Sequence, residues 1–433
     1  MNRWLKARWF SFLGRRRLRW HRFQLALENF RTAAEQEPGN LHTEIEIAWC
    51  LFRLKDYQAA IDGYESALQR RPDYASAHAC LGLALAEVQR TQEAVEAVRR
   101  GLRISPKLKD RAYFESCLGK WLEDLGRWEE AIGPLQNAIK SNPMEAGTHY
   151  SLGYAYGQLQ RYQEAVEEFQ ESNRLHPNWP NTLCALGVSL AAMGQFDKAV
   201  AAYKKAIDIA PDDFMTLVNL AIAYSQSSLH ESAIETWKQA IKLKPDSVEA
   251  QTSLTLDYER LGRYQEALET AQEVVRIEPN SPISHGNVAF FLTRLGQHDA
   301  ALMNARQAMH LDPDYPDAHF IAGYALQGLE NHEAAIPEYQ KAIELKADYL
   351  EPLVNLGGAY LELGRDREAI PPLMRAIELK PECVEAHDYL GTACLKNGDR
   401  AGAMEQLRIL KSFDPEFEGA LSKQLASENV SGK

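Results

Sequence analysis

Five of the twelve histidines could act together: His285 and His319 are 34 residues apart, His149 and His285 four times that, and His319 and His387 twice that. With His78 they form a series in which imidazoles could serve as metal ligands or as a ladder of pH-sensitive groups. Distance argues against the metal. Neighbouring packed helices lie about 8–10 Å apart and zinc–nitrogen bonds measure about 2 Å, so one imidazole per helix does not converge on an ion. The spacing favours mid-sized side chains filling an equivalent packing position.

Other reactive side chains are as scattered. The six cysteines, Cys50, Cys80, Cys117, Cys184, Cys383 and Cys394, stand singly, without a Cys-x-x-Cys pair or a histidine at zinc-ligand spacing. A disulfide framework and a structural metal are poorly supported, and a reducing compartment fits. No glycine-rich phosphate loop, Gly-x-Ser-x-Gly elbow or His-Glu-x-x-His motif occurs. No catalytic residue, metal or cofactor is therefore assigned, and the chain is expected not to be an enzyme.

What positions these residues is a repeat. "LGRWEEAIG" at 125–133 returns as "LQRYQEAVE" at 159–167, "LGRYQEALE" at 261–269 and "LGRDREAIP" at 363–371, offsets of one, three and three times 34. Pro38, Pro72, Pro106, Pro143, Pro177, Pro211, Pro245, Pro279, Pro313, Pro381 and Pro415, with Ala347 in the proline slot, keep the same step except for 37 residues between Pro106 and Pro143. With each proline at position 32, units start near 7, 41, 75, 112, 146, 180, 214, 248, 282, 316, 350 and 384. Leu-Gly falls at positions 7 and 8 in Leu152-Gly153 and Leu186-Gly187, alanine stands at position 20 throughout, and position 24 is usually large, as in Phe169, Tyr203 and Trp237.

Positions 4, 7, 8 and 11 share one face of a first helix, and 20, 24 and 27 share one face of a second. Small residues at 8 and 20 let the helices approach, and the large residue at 24 is expected to fill the space between units. Gly126, Gly194, Gly262, Gly296 and Gly364 near position 15 supply the turn, and proline at 32 closes the second helix. Each unit is predicted to be an antiparallel helical hairpin. Ala271 and Ala305 at position 24 of units 8 and 9 predict looser packing there. The extra residues, Lys109-Asp110-Arg111, lengthen a turn or mark a kink between units 1–3 and 4–12.

This pattern resembles the tetratricopeptide repeat over about residues 7–417, through twelve units. The resemblance implies an all-α, right-handed superhelical solenoid of antiparallel helix pairs whose first helices line a concave groove for peptides. Residues 1–6 read as a basic tail, 418–426 as a capping helix and 427–433 as a flexible end. Histidine at position 4 replaces the tryptophan frequent in the family.

Positions 2, 5, 9, 12 and 13 of each first helix lie opposite its packing face. They carry Trp49, Phe52, Tyr113, Tyr150, Tyr154, Val188, Val218, Ile222, Phe290, Phe320, Tyr324 and Val354. Such a face is a candidate peptide groove, or is consumed where coiling buries it against neighbouring repeats. The resemblance adds Asn219, Asn287 and Asn355 at position 6 as an incomplete asparagine track. Arg53, Lys120, Arg260, Arg294 and Lys396 do not form the set that clamps a peptide's terminal carboxylate in some family members.

Hydrophobic content of 45% and charged content of 25% are globular values. The net charge is −12, yet residues 1–22 carry eight basic side chains and no acid, leaving −20 on the remainder. An acidic body argues against nucleic acid as a partner. No apolar stretch reaches the length of a transmembrane span. The segment with Arg3, Trp4, Lys6, Arg8, Trp9, Arg15, Arg16 and Arg19 reads as a structural cap, a contact for a membrane surface or acidic partner, or a targeting segment.

The expected function is a non-enzymatic scaffold or adaptor that takes a partner protein or peptide in its groove and supports complex assembly. Alternatives are a regulatory or substrate-delivering subunit of a separate enzyme, such as a glycosyltransferase, and a peripheral membrane scaffold. The expected location is cytoplasmic, with peripheral membrane attachment as the variant.

Overall fold

The computed structural model describes residues 3–19, 21–416 and 419–431. Among these are 25 helices and no strand. Twelve antiparallel hairpins follow one another, each a first and a second helix, and a last helix, Ala420–Ser431, follows unit 12. Unit 5 shows the rule, with Ala146–Gln158 and Tyr162–Leu175 joined by three residues and a four-residue link to Pro180 of unit 6.

Local chemistry explains the boundaries. The side chains of Asn40, Ser247 and Ser281 accept backbone N–H groups of Thr43, Ala250 and Ser284 at the starts of first helices. Pro180, Pro282 and Pro316 occupy the first helical turn, where the missing N–H costs nothing. At the hairpin turn, position 15 has positive φ in all twelve units, with glycine at 126, 194, 262, 296, 364 and 398. His21, Lys55, Gln89, Gln160, Ser228 and Glu330 take the same left-handed conformation without glycine. In unit 5 this lets Arg161 N–H donate to the Tyr156 carbonyl at 2.9 Å, closing the first helix.

Position 8 meets position 24 inside one hairpin. A Cβ added to Gly187 would lie 2.5 Å from the Tyr203 ring, one on Gly153 would lie 2.9 Å from Phe169, and one on Gly323 would lie 2.7 Å from Tyr339. The large residue thus seats on its own unit's glycine rather than only bridging units. Units 8 and 9 depart from this, with Thr255 at position 8 over Ala271 at position 24 in unit 8, and Ala289 with Ala305 in unit 9. Both position-24 alanines are buried.

The three extra residues are divided. The link between Ile104 and Arg111 has two residues more than usual, and the first helix of unit 4, Arg111–Asp124, has one more. Asp110 adopts a left-handed φ of 58°. Arg111 donates to the Leu102 carbonyl at 3.1 Å and pairs at 2.8 Å with Glu115, which is buried.

The helices group into two compact bodies, Met1–Ala223 and Tyr224–Lys433. Their boundary falls inside the first helix of unit 7, Phe214–Gln226, and not at the kink considered at 109–111. Helix starts at Arg3, inside the stretch read as a basic tail, and the last helix runs on to Ser431, inside the end read as flexible. Residues 1, 2, 418, 432 and 433 of those segments lie outside the described residues.

Candidate functional site

The position-4 histidines have a shared structural task. The Nε2 groups of His78, His149, His285, His319 and His387 lie 2.9, 3.2, 3.0, 3.0 and 2.9 Å from the carbonyl oxygens of Pro72, Pro143, Pro279, Pro313 and Pro381. An imidazole N–H therefore donates to the carbonyl at the end of the preceding unit. Gln251 makes the same bond to Pro245 in unit 8, at 3.3 Å. On the other ring nitrogen, His149 meets Glu168 at 2.6 Å and His319 meets Glu338 at 2.7 Å. Among the described residues no three His, Cys, Asp or Glu side chains are placed to hold a metal ion. Burial pushes the Cys50 and Cys80 thiols up to about 12, far from the thiolate a nucleophile needs.

Concavities on the first helices offer more. One, of about 540 Å³, lies on the first helices of units 5 and 6 and is lined by Tyr150, Tyr154, Tyr162, Cys184, Val188 and Asp213 among others. A second, of about 500 Å³, lies between the first helices of units 4 and 5 and is lined by Tyr113, Lys120, Glu123, Asp124, Tyr150 and Trp179 among others. Tyr150 belongs to both. Aromatic rings connect them: Tyr154 stacks on Tyr150 at 6.3 Å and Tyr150 lies 4.9 Å from Trp179, while Trp128, beside the first concavity, meets Tyr154 edge-on at 5.7 Å.

Helix geometry makes this row. Tyr154 and Val188 are position 9 of adjacent units, so stacking the hairpins sets them side by side with relative exposures of 38% and 45%. Tyr113, at 57%, is the same kind of outward side chain one unit earlier. Tyr150 is half-buried because its ring also packs on Phe169, 5.7 Å away. It serves both core and groove.

Glu123 gives the second concavity an unusual polar floor. Burial pushes its carboxyl up to about 8, aided by Asp124 and opposed by the Ser151 hydrogen bond and Lys120. Its Oε1 is buried with no hydrogen-bond partner. At neutral pH the acid is mainly uncharged.

The other sequence candidates are less available. Val218 is buried at 3% exposure, so packing takes it from the surface. Trp49 and Phe52 are half-buried and stack on each other at 5.4 Å, with Arg53 over Trp49. Asn219 is half-buried and directs its amide to Cys184 Sγ at 3.7 Å, and Ile222 is half-buried. In the second body, Asn287, Phe290, Phe320, Val354 and Asn355 are half-buried, and Tyr324 is exposed at 40%. Phe320 packs 5.4 Å from Tyr349 and 6.3 Å from Tyr339, and Phe290 meets Phe291 edge-on.

The basic side chains of these helices are mostly engaged. Arg294 donates to Tyr264 Oη at 2.8 Å, Arg260 to Ser225 at 3.2 Å, and Arg53 lies over Phe23, while Lys120 stays exposed at the second concavity. Sequence reasoning restricted to first helices missed Trp128, Tyr162 and Trp179, and its choice of apolar residues passed over Glu123, which stands at outward position 12 of unit 4. Trp179 in "PNWP" was the readable signal, an aromatic in a link where small polar residues suffice.

At the N-terminal end, Trp4, Leu5, Trp9 and Phe12 are exposed at 50–53%, and Arg3, Lys6, Arg8, Arg15, Arg16 and Arg19 are also exposed. Among the described residues no helix is long and apolar enough to cross a membrane.

Comparison with known proteins agrees with this architecture. Models described as tetratricopeptide repeat match residues 13–75, 63–108, 144–212, 181–246, 218–282, 316–349 and 350–383, and one described as TPR repeat matches 119–160. No curated protein matches the chain. Among solved structures, MamA 41-end from Desulfovibrio magneticus RS-1 is 24% identical, over 39% of this chain and 96% of that one, at a TM-score of 0.38. YrrB, described as a TPR protein with an unusual peptide-binding site, is 21% identical over 43% of this chain and 96% of its own, at 0.36. Yeast Tom70 is 16% identical over 98% and 95%, at 0.39. The repeat matches on these helical hairpins place the chain in the tetratricopeptide repeat family.

Proposed function

We propose that this protein is a non-enzymatic scaffold that holds a short peptide segment of a partner protein across the first helices of units 4, 5 and 6. The observation that carries the reading is the pair of concavities, about 540 and 500 Å³, that share Tyr150. Each is of the size that encloses a few side chains. The walls suit a peptide because tyrosine and tryptophan supply apolar area and a polar tip while losing little rotamer freedom. The exposed parts of Tyr113, Tyr154 and Val188 provide contact area that the hairpins leave uncovered. A non-catalytic role is supported by thiols held protonated and by histidines occupied with proline carbonyls.

The test is affinity capture with mass spectrometry, comparing the wild type with a Tyr113→Ala, Tyr154→Ala, Val188→Ala variant of unchanged circular dichroism. The circular dichroism control shows that the variant keeps its fold. Partners bound by the wild type should fall at least about tenfold on the variant, since truncating a central aromatic contact costs about 1–2 kcal/mol or more. Partners retained equally by both would remove this groove as the recognition surface.

A further inference from the structure

The first helix, Arg3–Leu18, presents an outward face unlike that of other first helices. Trp4, Leu5, Arg8, Trp9, Phe12, Arg15 and Arg16 fall within about 140° of the helix circumference, with no acid among them. All seven are exposed, and Arg19 follows at the helix end. The opposite side, with buried Ala7 and Gly14, packs on the second helix of its unit.

The outward face includes positions 3 and 10 of the repeat, which other units use to receive the preceding hairpin. Cys50 packs with Phe30 and Leu27, Thr182 lies 3.4 Å from Ser172, and Asp257 accepts the Trp237 indole N–H at 2.9 Å. These positions are small in most units, as in Ala77 and Ala84, Thr148 and Ala155, and Ala318 and Ala325, all buried. In unit 1 they are Trp9 and Arg16. An indole and a guanidinium there oppose the close stacking seen in most units; unit 4, with Phe114 and Trp121 at these positions, stacks behind a longer link and without a charge. Head-to-tail stacking of a second copy is opposed at the far end too, where Leu421 and Leu425 of the last helix are buried against unit 12.

An exposed face that lacks the small residues of close repeat stacking and combines indoles, a phenyl ring and arginines suits a different occupant. Its charge is complementary to an anionic surface, and tryptophan favours the headgroup region of a bilayer. Phe12, Arg15, Arg16 and Arg19 also line a concavity of about 540 Å³, where arginines can donate to phosphate oxygens and where Arg15 also lies 3.2 Å from His42 Nε2. We propose that this face docks on an anionic lipid bilayer, with Trp4, Leu5, Trp9 and Phe12 at headgroup depth and Arg8, Arg15, Arg16 and Arg19 on lipid phosphates. The helix lies in the interface and does not cross it. The inference is independent of the groove on units 4–6.

The test is co-sedimentation of the full chain with phosphatidylcholine vesicles and with vesicles holding about 30% phosphatidylserine, at about 0.15 M salt. Binding is expected only to the anionic vesicles and should weaken as salt rises. A Trp4→Ala, Trp9→Ala, Phe12→Ala variant and an Arg8→Gln, Arg16→Gln, Arg19→Gln variant should each bind at least about tenfold less, with wild-type circular dichroism. Inorganic phosphate at constant ionic strength should leave vesicle binding unchanged. Equal binding to neutral vesicles, no binding, or wild-type binding by both variants would overturn the proposal. So would displacement by phosphate, which indicates a simple anion site, or a concentration-dependent dimer that the arginine substitutions dissolve without vesicle binding, which indicates a second copy.

Discussion

A carboxyl group kept neutral beside an aromatic groove makes that region sensitive to pH. Glu123 lies where its Oε1 has no partner, and burial pushes its carboxyl from 4.5 to about 8. The unfolded chain ionises this group near the lower value, whereas the folded chain keeps the proton. Its stabilising contribution is therefore fully present below about pH 4.5 and is lost as pH rises toward 8. Glu123→Gln keeps the shape without the ionisation. The variant should match the wild type near pH 4.5 and exceed it by roughly 1–3 kcal/mol near pH 8.5, less than the full shift implies because the side chain is partly exposed. Urea melts at both pH values measure this, and an offset that does not change with pH would show an ordinary carboxylate. Sequence reasoning reached Tyr113, Tyr150, Tyr154 and Val188 because helical periodicity predicts which side chains point outward. It could not separate them from Val218, whose position is equally outward in one helix and is buried by tertiary packing. Glu123 also stands at an outward position, but its burial and the Ser151 hydrogen bond come from packing that periodicity does not carry.

At the scale of the hairpin, the turn at position 15 separates what composition reveals from what geometry imposes. Glycine there was readable because it supplies positive φ without steric cost. The same conformation at Gln89 and Glu330, with φ of 61° and 59°, was not readable, because tertiary docking of the two helices demands it whatever the residue. Non-glycine residues in this region carry a cost of about 1–2 kcal/mol, partly offset because glycine loses more entropy on folding. Gln89→Gly and Glu330→Gly should therefore each stabilise the protein by about 0.5–1 kcal/mol. Gly262→Ala is the control: an added Cβ there meets no atom within 4 Å, so its cost is backbone strain alone, and it should destabilise by about 1 kcal/mol. Chemical denaturation midpoints report both effects. A loss of stability in both glycine variants would mean that their side chains contribute more than the turn costs.

Across the whole chain, the repeat period carries the length of a hairpin and not where compact bodies end. The only irregular step falls at 109–111, where a longer link accommodates Phe114 and Trp121 at positions that are small in most units. The boundary at Ala223 and Tyr224 lies within an uninterrupted 34-residue register, so spacing carries no trace of it. Contacts explain the difference, since a solenoid is a sum of hairpin terms and nearest-neighbour interfaces, and periodicity encodes the hairpin better than the strength of each interface. Damage to one hairpin should then spread to its neighbours and fade. Gly357→Val is suited to show this, because a side chain at 357 presses into Leu373, the position-24 residue of the same unit. Hydrogen exchange should show helical amides across residues 316–413 losing protection by at least about tenfold, while those across 41–175 keep theirs. Loss of protection to the same extent in both regions would mean that the chain unfolds as one cooperative unit, with the boundary inside unit 7 having no energetic meaning.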